Sequence, residues 1–134
     1  MIECETDVFN AVATALRTAY EDIYVVGEYV SAPKKFPAVY IIENDNRVLE
    51  RYRTETIENA VSVMYEVNIF SNKASGKKAE AKAIAATVDA AFVSHGFTRT
   101  MRNQVPNLND ATIYRIVCRY EAIVDKDLQV YYND

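Results

Sequence analysis

The sequence of 134 residues is poor in the side chains from which most active sites are built. It contains one histidine, His95, and two cysteines, Cys4 and Cys118, which lie far apart in the chain. Metal centres need several clustered ligands, and nucleophilic sites need a nucleophile with a nearby base. We therefore expect no catalytic residue, no metal site and no cofactor. Because His95 lies at the C-terminus of a predicted helix, we expect it to cap the end of that helix.

Glycine and proline are also scarce, with three of each. The glycines lie too far apart to form a phosphate-binding loop. No apolar run approaches the roughly 20 residues of a membrane helix, and the acidic residues 1–7 do not resemble a signal peptide. We therefore expect a protein that is cytosolic where it is made and has no membrane partner.

Tryptophan is absent, whereas tyrosine occurs ten times. Tyrosine is enriched at protein interfaces, but it also favours β-strands, so two interpretations remain open. The net charge of −4 argues against a general nucleic-acid binder. Apolar residues make up 50% and charged residues 25% of the chain, as in ordinary globular proteins. The length predicts a single domain, 1–134.

The pattern around which we expect the fold to form is AVSVMYEVNIFS, residues 60–71. Side chains alternate between the two faces of a strand, so this segment predicts a long strand with one apolar and one mixed face. A helix is predicted at residues 77–95, with Gly96 as its left-handed stop and Ser75 as its cap. Its predicted buried stripe is Ala81, Ile84, Ala85, Val88, Ala91 and Phe92.

The remaining elements are predicted from the same patterns. A first helix at residues 7–20 is capped by Thr6 or Asp7. The predicted strands are residues 23–30, 38–43, 97–105, 111–125 and 128–132, and residues 48–56 form a hairpin arm with 38–43 across a turn at 44–46. The predicted fold is therefore α+β, a single mostly antiparallel sheet with two helices packed on one face, plus a protruding β-hairpin arm.

Two groups of residues are candidates for a subunit or partner interface. Arg47, Arg51, Tyr52 and Arg53 lie on the predicted arm, and arginine and tyrosine are enriched at interface anchors. Lys77 and Lys78 lie at the start of the second helix, against the preference of the helix dipole. For both groups the alternative is a solvated surface without a partner. The lysines could also contact an acidic partner or DNA passing nearby.

Most of the chain resembles a known group of proteins. The resemblance lies in YEVNIFSN at residues 65–72, SGKKAEAKAIAATVDAAF at 75–92, GFTRT at 96–100 and PNLNDATIYRIVCRYEA at 106–122. The proline-bracketed KFPAVYIIEND at residues 35–45 fits the same pattern. Together these segments resemble the tail-terminator and minor capsid proteins, the head-tail joining or neck proteins of long-tailed bacteriophages.

The resemblance implies a structural protein and not an enzyme. Such proteins form a ring, commonly a hexamer, which caps the tail tube and joins it to the head. The implied partners are further copies of the chain, the tail tube protein and head-connector proteins, while genomic DNA passes through without specific binding. The implied location is the virion neck or tail, and the host cytoplasm during assembly.

Three alternatives stay open from the sequence. The chain could be a head-side connector or head-closure protein of similar fold. It could be a non-viral adaptor that binds one protein through an exposed strand edge. It could also be a small enzyme, which would require a concave pocket with several ionisable groups of perturbed pKa.

Overall fold

The fold is a twisted sheet with two helices on one side. The computed structural model describes residues 1–29, 32–52, 54, 59–106 and 110–132. In chain order the elements are α1 (Glu5–Ala19), β1 (Tyr24–Val26), β2 (Ala38–Val48), a 3-10 turn (Glu50–Tyr52), β3 (Ala60–Ser71), α2 (Lys77–Ser94), β4 (Thr98–Gln104), β5 (Tyr114–Asp125) and β6 (Val130–Tyr132).

The strands form one mixed sheet in the order β1-β2-β3-β5-β4. The pair β1–β2 is parallel, whereas β2–β3, β3–β5 and β4–β5 are antiparallel. The short β6 pairs with the last residues of β5, beside β4. The α+β fold and the mostly antiparallel sheet predicted from the sequence are therefore confirmed.

The central strand β3 matches its predicted bounds and faces. Its odd-numbered side chains from Val61 to Ile69 are fully buried in the main core. Both helices contribute to that same core, through Val12 and Leu16 of α1 and through Val88 and Phe92 of α2. Since these residues lie in one cluster, the helices cover one face of the sheet, which we call the helix side.

Helix α2 confirms the predicted buried stripe, from Ala81 to Phe92. It ends where Gly96 adopts a positive φ of 88°, a conformation that costs glycine little. The Nδ1 atom of His95 lies 2.8 Å from the carbonyl oxygen of Ala91. The lone histidine therefore binds the end of the helix, as the sequence predicts.

The predicted helix caps are wrong. Helix α1 begins at Glu5 after Cys4, with no side-chain cap at that position, and Oε1 of Glu3 instead accepts a bond from the Glu5 amide at 3.2 Å. Helix α2 follows Gly76 in a left-handed conformation, and not Ser75. At Gly76 a backbone with positive φ leads the chain into α2 without a side-chain oxygen, so Ser75 was a misleading signal.

The predicted turn at residues 44–46 is also wrong. Strand β2 continues through it to Val48 and stays paired with β3, with Asp45 opposite Met64 and Arg47 opposite Ser62. A bulge between Glu43 and Asp45 takes up one extra residue. Pairing along β3 therefore overrides the turn preference of Asn-Asp-Asn, and the protruding hairpin arm is not confirmed, because residues 53 and 55–58 lie outside the described residues.

Two glycines lie where neighbouring elements approach each other closely. Strand β6 lies against α2's end, since a Cβ on Gly96 would approach Val130 Cγ1 to 3.1 Å. After β1, a Cβ on Gly27 would lie 3.3 Å from the ring of Phe9 of α1, so helix and backbone approach closely there. Among the described residues, no helix combines the length and the apolarity needed to cross a membrane.

Candidate assembly surfaces

The predicted arginine cluster lies where β2 leaves the sheet. Arg47 is an exposed residue near the end of β2, and Arg51 and Tyr52 lie in the 3-10 turn that follows. The guanidinium carbon of Arg51 is 4.9 Å from the centre of the Tyr52 ring, a cation–π distance. Tyr52 is still 46% exposed. Arg53 lies outside the described residues. Arg51 and Tyr52 therefore form one exposed cationic and aromatic surface.

Hydrogen bonds hold the base of this turn. The Leu49 amide donates to the Ala60 carbonyl at 3.1 Å, and the Tyr52 amide donates to the Leu49 carbonyl at 3.0 Å. The side chain of Asn59 donates to Thr54 Oγ1 at 2.7 Å. The turn is thus attached to the residues at the start of β3, while the side chain of Tyr52 stays partly exposed.

The two predicted lysines have different environments. Nζ of Lys77 donates to the carbonyl oxygens of Thr112, at 3.2 Å, and Ala111, at 3.5 Å. It therefore ties the start of α2 to the segment that enters β5. Lys78 is exposed. Lys77 has an internal role that the sequence did not reveal, whereas Lys78 stays available to a partner.

The second face of the sheet, which we call the open face, carries a polar network. Nε and Nη2 of Arg119 donate to Oε1 of Glu66, at 3.2 and 3.1 Å. Asn68 donates to the other oxygen of Glu66 at 3.3 Å and accepts from Nε of Arg115 at 3.0 Å. The guanidinium of Arg115 lies 5.5 Å from the Phe70 ring. The sequence predicted a mixed face here, but not which residues pair.

A small aromatic cluster covers one end of the open face. Tyr40, Ala38 and Phe70 are buried there, and Tyr40 and Phe70 have ring centres 5.1 Å apart. Tyr29 packs edge-on against Tyr40 at 6.0 Å but is itself 64% exposed. Part of the tyrosine content thus forms core contacts, and part remains on the surface.

Three carboxylates gather beside β2 on the helix side. Glu3, Glu5 and Glu43 each place an oxygen within 4.8 Å of the other two. Glu43 also accepts a 2.8 Å hydrogen bond from the hydroxyl of Tyr65. The pKa of Glu5 is raised by burial and further by the charges of Glu43 and Glu3. Exposed carboxylates often group without a metal, so we describe this trio as the acidic border of β2.

A cleft of about 610 Å³ lies between α1 and the strands β1 and β2. Its lining includes Glu5, Phe9, Arg17, Glu28 and Tyr65. Burial is the largest cause that raises the pKa of Tyr65, so its hydroxyl stays protonated and donates to Glu43. The group that burial perturbs most strongly in this cleft is therefore engaged in holding strand and helix together, and is unsuited to act as a base.

The comparisons with known proteins bear on the fold. No family model matches the sequence, and no curated protein matches it. Among solved structures, this chain is similar to one in "Virion of native gene transfer agent (GTA) particle", with a TM-score of 0.58 and 19% sequence identity. The match covers 90% of this chain and 91% of that chain. The two chains share a fold. At this identity the likeness concerns architecture and does not transfer individual residues.

Proposed function

We propose that this chain is a structural component of a phage-like virion, where it forms a ring that caps the tail tube and joins it to the head. The observation that carries the proposal is the likeness, over nine tenths of both chains, to a chain of a gene transfer agent virion. A match that covers nine tenths of each chain indicates that the two chains share one domain architecture over nearly their whole matched length. The sequence resemblance to neck proteins of long-tailed phages points independently to the same class.

The surfaces suit assembly. A neck protein must contact the tail tube and the head connector as well as further copies of itself. This chain offers the exposed pair Arg51 and Tyr52 at one end of the sheet, and the open face with Arg119 and Arg115. Arginine and aromatic residues are enriched at interface centres. Exposed patches of this kind suit a structural protein that acts by binding other proteins.

The charge suits a ring through which DNA passes. Phosphate contacts dominate the affinity of proteins for DNA. A chain with a net charge of −4 does not present the general basic surface that would hold DNA in place. The ring, a hexamer in the family that the sequence resembles, would let genomic DNA pass without specific binding.

The experiment that tests the role is a binding assay with purified virion parts. We expect the protein to be retained by tail tubes and to remain bound through washing at moderate salt. Retention by the head connector alone would instead assign it to the head side of the joint. Binding to neither part, combined with absence from purified particles, would contradict the proposal.

A further inference from the structure

The sheet has two unlike outer borders. Strand β1 pairs only with Ala38–Tyr40 of β2, so no described strand lies outside β2 between Ile41 and Val48. At the opposite border lies β4, whose one partner among the described strands is β5. An unpaired border is a place where a second chain can join, unless it is blunted.

The charged side chains of the two borders lie on the same side of the sheet. Glu43 is opposite Tyr65, while Arg99 is opposite Tyr120 and Arg102 is opposite Cys118. Tyr65, Tyr120 and Cys118 all belong to the core under the helices. Cross-strand neighbours point to the same face, so the acidic border and the basic border, Arg99 and Arg102, both lie on the helix side.

The borders carry opposite charge. The acidic border brings three carboxylates together, and among the described residues no lysine or arginine forms an ion pair with any of them. On β4, Arg99 reaches Asp89 at 3.4 Å, whereas Arg102 has no acidic partner among the described residues. Strand β4 itself contains no acidic residue. Within the part of the chain that the structure describes, the three carboxylates of one border and the guanidinium of Arg102 on the other therefore lack an opposite charge.

We infer that the acidic border of one copy meets the basic border of the next, head to tail, with the helix sides of both copies on the same side of the joint. This inference rests on the proposed ring and names its contact. The two borders are different surfaces, as a ring requires. If the sheets continue side by side, Glu3, Glu5 and Glu43 come to face Arg102, with Arg99 beside it, which brings the carboxylates and the guanidinium of Arg102 close to opposite charge.

The contact is carried by side chains more than by a continuous strand ladder. A bulge interrupts β2 between Glu43 and Asp45, and another interrupts β4 between Arg99 and Met101. Bulges and charges on edge strands prevent unselective pairing with other chains. Under this inference, the charges and bulges at both borders disfavour pairing with the edge strands of unrelated proteins. The opposite charges of the two borders favour pairing between copies of this chain.

The test is a charge swap followed by sedimentation over a range of protein concentrations. Glu3→Lys with Glu5→Lys reverses one border and Arg102→Glu reverses the other, while Glu43 is kept because it binds Tyr65. Each variant alone should weaken self-association by about tenfold or more, since close interfacial charge pairs contribute above 1.4 kcal/mol. The triple variant, which carries both reversals, should associate again, and so should an equimolar mixture of the two single-border variants.

Matched controls are Glu21→Lys and Lys126→Glu, which change the same charges at exposed positions away from both borders. They should associate like the wild type. The inference is overturned if the reversed variants associate normally, if the triple variant fails to recover, or if the wild type is monomeric at every concentration and salt. The proposed function is judged separately by retention of the wild-type protein on tail tubes. If the wild type is retained while the reversed variants self-associate normally, this contact is refuted and the virion role still stands.

Discussion

The hydroxyl of Tyr65, in the middle of β3, donates a 2.8 Å hydrogen bond to Oε2 of Glu43 on β2. The same hydroxyl lies 3.4 Å from Sγ of Cys4, just before α1. Its ring packs against Phe92 and Phe97, with centres 5.9 and 5.6 Å apart. One tyrosine therefore joins the central strand to its neighbour, to the first helix and to the second.

The first prediction concerns that tyrosine. Tyr65→Phe should lower the free energy of unfolding by about 1–3 kcal/mol, because a buried hydrogen bond to a charged acceptor is lost while the ring packing remains. Urea denaturation measures the change in the free energy of unfolding. The control is Tyr114→Phe, whose hydroxyl makes no hydrogen bond with a described residue. Equal, small effects in both variants would contradict the bridging role of Tyr65.

The second prediction tests which way β3 faces. Val67 is fully buried on the helix side, so Val67→Asp should prevent folding, since an unpaired buried charge costs several kcal/mol, roughly. Val93→Asp, at a position that is 40% exposed on α2, should cost less than about 1 kcal/mol. Circular dichroism and a thermal melt distinguish the two. A soluble Val67→Asp variant with a cooperative melt would show that the assigned face is wrong.

The third prediction tests the packing of the C-terminal strand. Gly76 and Gly96 both have positive φ, but only at Gly96 would a Cβ meet a neighbour, Val130 at 3.1 Å. Gly76→Ala should cost about 1–2 kcal/mol from backbone strain alone, and Gly96→Ala should cost more. Combining Gly96→Ala with Val130→Ala should recover part of that excess. If the two glycine variants unfold at the same urea concentration, β6 does not pack where we describe it.

The fourth prediction concerns the thiols. Cys4 and Cys118 are 4% and 1% exposed, and burial is the largest cause that raises the pKa of each thiol. A raised pKa leaves less thiolate at a given pH, and the thiolate is the reactive form. A thiol reagent at pH 8 should therefore label neither cysteine in the folded protein and both in urea. Rapid labelling of one thiol in the native state would contradict its burial.

The fifth prediction addresses the arginine cluster. Replacing Arg51 and Arg53 together with Glu should leave the monomer folded, because Arg51 is exposed and lies over the partly exposed ring of Tyr52. Association or tube binding should weaken, since arginine and tyrosine often anchor interfaces. Pelleting with tail tubes measures the loss. A double variant that binds and assembles like the wild type would remove this cluster from the interface.

Periodicity was sufficient to predict the core. The alternation along β3 and the helical stripe of α2 each arise from burial on one face, and both are observed as predicted. Local turn chemistry was a poorer guide. Asn44, Asp45 and Asn46 favour a turn, but ten paired positions with β3 hold β2 extended through them. Pairing of that length outweighs a local preference because it satisfies backbone groups that a turn would leave to water.

The assembly surfaces were only partly predictable. Arginine and tyrosine near residues 47–53 could be recognised from composition. The acidic border could not, because Glu3 and Glu43 are distant in sequence and meet only when α1 lies over β2. The same holds for Glu66 and Arg119, which the register of β3 with β5 brings together. Contacts between distant residues depend on strand register, which a single sequence does not specify.

Electron microscopy of the purified protein, alone and mixed with tail tubes, tests the central claim most directly. The account predicts closed rings of identical copies, bound at one end of each tube and stopping its growth. Images of tail tubes with uncontrolled length and bare ends, together with a protein that remains monomeric, would contradict the account.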